Sequence, residues 1–98
     1  MSFADLTKQD RLLTLLKALE SAAGYRAAQF ILLRYCEQFG HAVSVDRIRT
    51  DLDWLAEQGL VKLDKPEGVF VATLSQRGMD VASGRATVAG VARPQPEA

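Results

Sequence analysis

Val43-Ser44-Val45-Asp46-Arg47-Ile48-Arg49-Thr50-Asp51-Leu52-Asp53-Trp54-Leu55-Ala56-Glu57-Gln58-Gly59-Leu60-Val61 is the stretch that decides how the rest of the chain is read. Ser44 suits a helix N-cap, because a serine hydroxyl accepts hydrogen bonds from first-turn backbone amides. Asp46 stands in the first turn, where the helix dipole favours a carboxylate. Ile48, Leu52 and Leu55 recur at helical spacing and form an inward stripe that Val45 extends. The same wheel turns Asp46, Arg47, Thr50 and Asp53 outward, with Arg49 flanking. Asp51, four residues after Arg47, is expected to pair with it on the surface. Gly59 closes the helix, since glycine tolerates the left-handed conformation. A helix over Ser44–Gln58 is predicted.

Working outward, Leu60–Leu63 reads as a short strand and Val69–Leu74 as its returning partner. Asp64-Lys65-Pro66-Glu67-Gly68 between them is turn chemistry. Ser75 caps a last helix from Gln76 to about Ala82, ended by Gly84. Upstream, Thr7 and Asp10 have capping-box spacing, which predicts a first helix starting near Thr7 and stopping before Gly24. Leu12, Leu15, Leu16 and Leu19 are its stripe, with Leu6 and Leu13 off it. A second helix is expected from Arg26 to Phe39, closed by Gly40, with Ala28, Ile31, Leu32, Tyr35 and Phe39 on one face. Phe30 and Leu33 widen that apolar surface. The wide apolar faces of these two helices predict a homodimer.

The chain has 98 residues, 48% of them hydrophobic and 24% charged, which fits one folded domain. Twelve basic residues balance twelve acidic ones, so the chain as a whole is neither a basic nucleic-acid coat nor an acidic mimic. The lone cysteine, Cys36, excludes an internal disulfide and fits a reducing, cytoplasmic setting. No stretch approaches the roughly 20 apolar residues of a membrane span, and the opening Met1-Ser2-Phe3-Ala4-Asp5 does not read as a signal peptide. No Ser/His/Asp set or glycine-rich phosphate loop stands out, so an enzyme is not expected. From Arg85 the composition shifts to Ala, Val, Gly and Pro. Residues 1–84 are read as the domain and 85–98 as an extended C-terminal tail, poorly ordered from Arg93 to Ala98.

The predicted fold is α+β and mostly helical: three helices, a two-stranded hairpin and a short C-terminal helix. These are the parts of a winged helix-turn-helix, and the short Gly40–Val43 connection would lay the third helix across the second. Val43–Val61 resembles the recognition helix and first wing strand of winged-helix regulators. Leu74-Ser75-Gln76-Arg77-Gly78 resembles the Leu-Thr-x-Arg-Gly turn that follows their wing, with Ser75 replacing Thr. The opening Met1–Leu6 and the ending Gly84–Pro94 extend the likeness, over nearly all of the chain, to small ArsR-like winged-helix proteins of Mu-like phages and prophages. That resemblance implies a winged-helix fold and a phage context. Metal-sensing ArsR proteins use clustered ligands. Here Cys36 and His41 alone are too few for a zinc-type site, so no metal or cofactor is expected.

The DNA-contacting set expected on this fold is Ser44, Arg47, Arg49, Thr50, Lys62 and Lys65. Arg47 or Arg49 would reach guanine edges, Thr50 a phosphate or thymine methyl, and the lysines phosphates. Charge opposes this: residues 44–74 hold four basic and six acidic side chains, a net −2. Arg77, Arg85 and Arg93 add basic charge beyond the hairpin. Two readings therefore stand. One is a DNA-binding transcriptional regulator or DNA-handling factor. The other is a protein-interaction module of the same shape, assembling with other phage proteins. Trp54 is read as packing under the hairpin, Cys36 as a small buried hydrophobe, and His41 as a loop residue or phosphate contact.

Overall fold

The computed structural model describes residues 1–96; Glu97 and Ala98, the end of the expected tail, lie outside the described residues. Helix α1 spans Phe3–Ser21, α2 Gln29–Gln38, α3 Val45–Glu57 and α4 Gln76–Ser83. Strand β1 is Arg26–Ala28, β2 Val61–Asp64 and β3 Val71–Leu74, forming an antiparallel sheet in the order β1-β3-β2. The chain is thus α+β and mostly helical, with four helices and three strands among the described residues.

Helix α1 begins four residues before the expected start. Ser2 and Asp5 form the capping box: Asp5 N donates to Ser2 Oγ at 3.1 Å, and Ser2 N donates to Asp5 Oδ2 at 3.3 Å. Thr7 lies one turn inside, where its hydroxyl donates to the Phe3 carbonyl at 2.9 Å and so cannot cap. Leu12, Leu15, Leu16 and Leu19 are buried as the spacing predicts, and Leu13 joins them while Leu6 stays exposed.

The expected helix from Arg26 is divided in two. Gly24 and Tyr25 both adopt positive φ (66° and 57°), and Arg26–Ala28 then runs as a strand. Arg26 pairs with Thr73, Ala27 with Ala72 and Ala28 with Val71. Two alanines favour helix locally, but pairing with the second edge of β3 overrides that preference. Because α2 starts later, its buried side is Gln29, Leu32 and Cys36, with Leu33 and Tyr35 half-buried. Ile31 and Phe39, expected on the inner face, are 56% and 59% exposed, and Phe30 is also exposed.

Helix α3 follows the prediction. Ser44 Oγ accepts from Arg47 N at 3.1 Å, and Ile48, Leu52 and Leu55 are fully buried. Asp51 departs from it, being buried rather than paired with Arg47 on the surface: Arg11 Nε donates to Asp51 Oδ2 at 2.6 Å. The hairpin forms as expected, with Val61 opposite Leu74 and Asp64 opposite Val71, and Glu67 and Gly68 turn it at positive φ. Ser75 caps α4, and Gly84 ends it in the left-handed conformation.

The core lies where α1, α2, α3 and α4 meet the inner face of the sheet, contributed by Leu60, Val61, Ala72 and Leu74. The segment from Arg85, set apart above as a tail, lies back on this body through residue 92. Val91 is buried, and Ala92 N donates to the Gln9 carbonyl at 3.1 Å. Trp54, expected beneath the hairpin, faces the N-terminal half of α1 and Gly90, with which it lines a cavity of about 200 Å³. No helix among the described residues is long and apolar enough to cross a membrane.

Candidate nucleic-acid interface

The capped start of α3 presents its outer face as the wheel predicts. Arg47 and Thr50 are exposed, as are Asp46 and Glu57, and Asp53 is half-exposed. The Thr50 hydroxyl donates to the Asp46 carbonyl at 3.1 Å, so its oxygen remains an acceptor. Ser44 is exposed, but its hydroxyl is occupied in capping. Its part in any contact is to fix where the helix begins.

Arg49 is placed differently from Arg47. It is half-buried, and its Nε donates to Gln29 Oε1 at 3.1 Å. Its guanidinium is thereby held back toward the start of α2.

Lys65 sits in the hairpin turn and folds back onto α3. Its Nζ lies 3.3 Å from Asp53 Oδ1 and 4.4 Å from the centre of the Phe70 ring. Lys62 points to the outer face of the sheet and is exposed. Its cross-strand neighbour is Thr73, whose other neighbour is Arg26, so the three make one row across the sheet. Arg26 Nη1 meets Asp64 Oδ2 at 2.9 Å and Thr73 Oγ1 at 3.2 Å. Arg26 was not among the expected contact residues because its segment read as helix. The structure brings Arg47, Thr50, Lys62 and Lys65 to accessible positions on α3 and the hairpin, and leaves Arg49 tethered at their junction.

Two residues once open to a ligand role are taken up by the fold. His41 is buried, with Nε2 at 2.7 Å from Asp10 Oδ2, so it offers no phosphate contact. Cys36 is fully buried, and burial pushes its thiol up to about 12; the Arg11 guanidinium opposes that rise and the Asp51 carboxylate adds to it. A neutral, inaccessible thiol is a packing group.

No family model matches the chain, and no solved structure matches it. Among curated proteins, it is 46% identical over 94 residues to a protein of Escherichia phage Mu described as the uncharacterized protein gp26, covering 96% of this chain and 97% of that one. It is 42% identical over 78 residues to an uncharacterized protein of Haemophilus influenzae, covering 79% of this chain and 76% of that one. Identity at that level over nearly the full length of both chains means that this protein belongs to the family of the phage Mu protein gp26.

Proposed function

We propose that this phage-type protein is a winged helix-turn-helix that binds double-stranded DNA, acting as a homodimer in transcriptional control or DNA handling. The observation that carries the reading is the arrangement of one element. A capped, amphipathic α3 turns Arg47 and Thr50 outward beside a hairpin whose strands join β1 in the order β1-β3-β2. The succession α2, α3 and the β2–β3 hairpin supports this reading, in which the third helix would enter the major groove. In this reading Arg47 and Thr50 meet base edges, and Lys62, with Arg26 beside it, meets phosphate. Lys65 reaches phosphate by exchanging Asp53 for it.

The test is a titration of random and phage-derived duplexes at low salt. Binding at micromolar protein, weakening as salt rises, is the expected result; no binding there sinks the reading, because non-specific phosphate contact alone should register. Sedimentation at several concentrations tests the homodimer, and a strict monomer at high concentration removes that part.

One observation favours a second reading, a protein-interaction module assembling with other phage proteins. Asp46, Asp53 and Glu57 share the outer side of α3 with Arg47, and Lys65 is already matched by Asp53. Recovery of a stable protein partner from lysogenic cells, with no duplex bound in the titration, supports the module. Recovery of DNA alone counts against it.

A further inference from the structure

Gln29 opens α2 and is fully buried, although it is polar. Its Oε1 accepts from Phe70 N at 2.8 Å and from Arg49 Nε at 3.1 Å. Its backbone N–H donates to the Phe70 carbonyl at 2.8 Å. One residue thus closes both main-chain groups of Phe70, extending the β1–β3 pairing one step past Ala28 and Val71. Both lone pairs of the amide oxygen are used, while Gln29 Nε2 is buried without a partner. A buried amide nitrogen left unsatisfied opposes folding, so the residue is held by what its oxygen does. That oxygen joins the start of α2, the hairpin and α3.

From this geometry we infer that Gln29 is a positioning residue that fixes Arg49 as a phosphate-binding fork where α2, α3 and the hairpin meet. The inference rests on the DNA-binding reading above. The tether occupies Nε alone, and no other hydrogen bond is made by the Arg49 guanidinium among the described residues. Its two Nη groups remain as parallel donors in a plane that Gln29 sets, which matches two oxygens of a phosphate. A guanidinium drawn back toward α2 does not extend along a groove to a base edge. Arg47, exposed and without a side-chain partner among the described residues, has that reach. The two arginines of α3 therefore divide the work: Arg47 reads bases and Arg49 grips the backbone. The anion is a duplex phosphate, and inorganic phosphate serves as the control for simple ion binding.

The test uses the full chain and two readouts. In the free protein, the Arg49 Nε–H resonance is expected to be resolved and slow to exchange, to move to the free-arginine position in Gln29→Leu, and to stay in Gln29→Glu, which keeps the acceptor. With duplexes, Gln29→Leu and Arg49→Ala are expected to weaken binding about ten-fold, equally for all sequences, and to lower the salt slope by about one. Arg49→Lys, which leaves the core untouched, keeps the charge but not the fork and is expected to lose part of that affinity. An Nε–H resonance unchanged in Gln29→Leu overturns the positioning role. Loss of sequence discrimination in Arg49→Ala with an unchanged slope overturns the phosphate role. If wild-type protein binds no duplex, the DNA reading and the phosphate role fall together, while the resonance still decides whether Gln29 positions Arg49.

Discussion

Arg11 and Asp51 are the pair on which the interior depends most. Both are buried, joined by Nε–Oδ2 at 2.6 Å and Nη2–Oδ1 at 3.3 Å. Replacing both with apolar residues of similar volume is often close to neutral, whereas removing one leaves a buried charge without its partner. Asp51→Ala is therefore expected to cost about 3–5 kcal/mol in a denaturant titration, and Arg11→Met with Asp51→Leu much less than either single change. A small cost for Asp51→Ala would show that water reaches the site. Cys36 adjoins this pair, and its thiol is raised from 9.0 to about 12 chiefly by burial. A raised pKa means that the folded protein favours the neutral thiol. Its contribution is complete below about pH 9 and is lost as pH climbs towards 12. The stability difference between wild type and Cys36→Ala should accordingly shrink over that window, and native protein at pH 8 should resist thiol reagents that label it at once in denaturant. Labelling of the native state at the free-thiol rate would contradict this.

The turn Ser75–Gly78 works as a clamp between two helices. Ser75 N donates to the Leu60 carbonyl at 3.0 Å, Ser75 Oγ to the Gly59 carbonyl at 2.7 Å, and Arg77 Nε to the Gln58 carbonyl at 3.0 Å. The carbonyls left open past the end of α3 are thus satisfied by the start of α4. Gly78 N donates back to Ser75 Oγ at 3.0 Å, and a Cβ at Gly78 would run into the Leu60 carbonyl and the Leu74 side chain. The glycine is required there by close approach. Gly78→Ala is expected to destabilise by about 1–3 kcal/mol, near the upper end because the obstacle is backbone, and Ser75→Ala by about 1 kcal/mol. Thermal melts check both; a neutral Gly78→Ala would mean that α4 shifts freely. The sequence made α3, the hairpin and α4 legible because each carries its own signals: Ser44, Ser75, the Ile48–Leu55 stripe, and turn residues at 64–68. Strand β1 carries none, since three residues of Arg and Ala acquire their state from Thr73, Ala72 and Val71, some 45 positions away. Separations of 40 and 31 positions likewise hide Arg11 behind Asp51 and Asp10 behind His41, so a wheel drawn on one helix assigns these groups to solvent. Of the expected contact residues, those set by the α3 wheel, Arg47 and Thr50, are exposed as read, while Arg49 needed Gln29 to be placed.

Taken as one body, the protein is closed by its own C-terminal segment. Gly90 adopts φ 96°, and a Cβ there would stand 3.2 Å from the Trp54 ring. Val91 beside it is buried, and the Ala92 amide is bonded to Gln9. The segment thus ties α1 to α3 at Trp54, which lies two turns beyond Arg47 on the same flank of that helix. Trp54 is the single tryptophan, so its fluorescence reports this closure directly. Removing residues 89–98 withdraws Val91 and uncovers the indole. The expected outcome is a red-shifted emission and a loss of about 1.5–3 kcal/mol, the worth of one buried valine-sized side chain. Gly90→Ala should show a weaker form of the same shift, since a side chain in the left-handed region costs about 1–2 kcal/mol even where the ring gives way. If closure serves only to hold the body together, duplex affinity measured well below the melting transition should not change in either variant. A change in affinity at constant fold in the truncated protein would instead make the segment part of the recognition surface, with Arg93 as its contact. An unchanged emission spectrum in the truncated protein would show that Trp54 is covered from elsewhere.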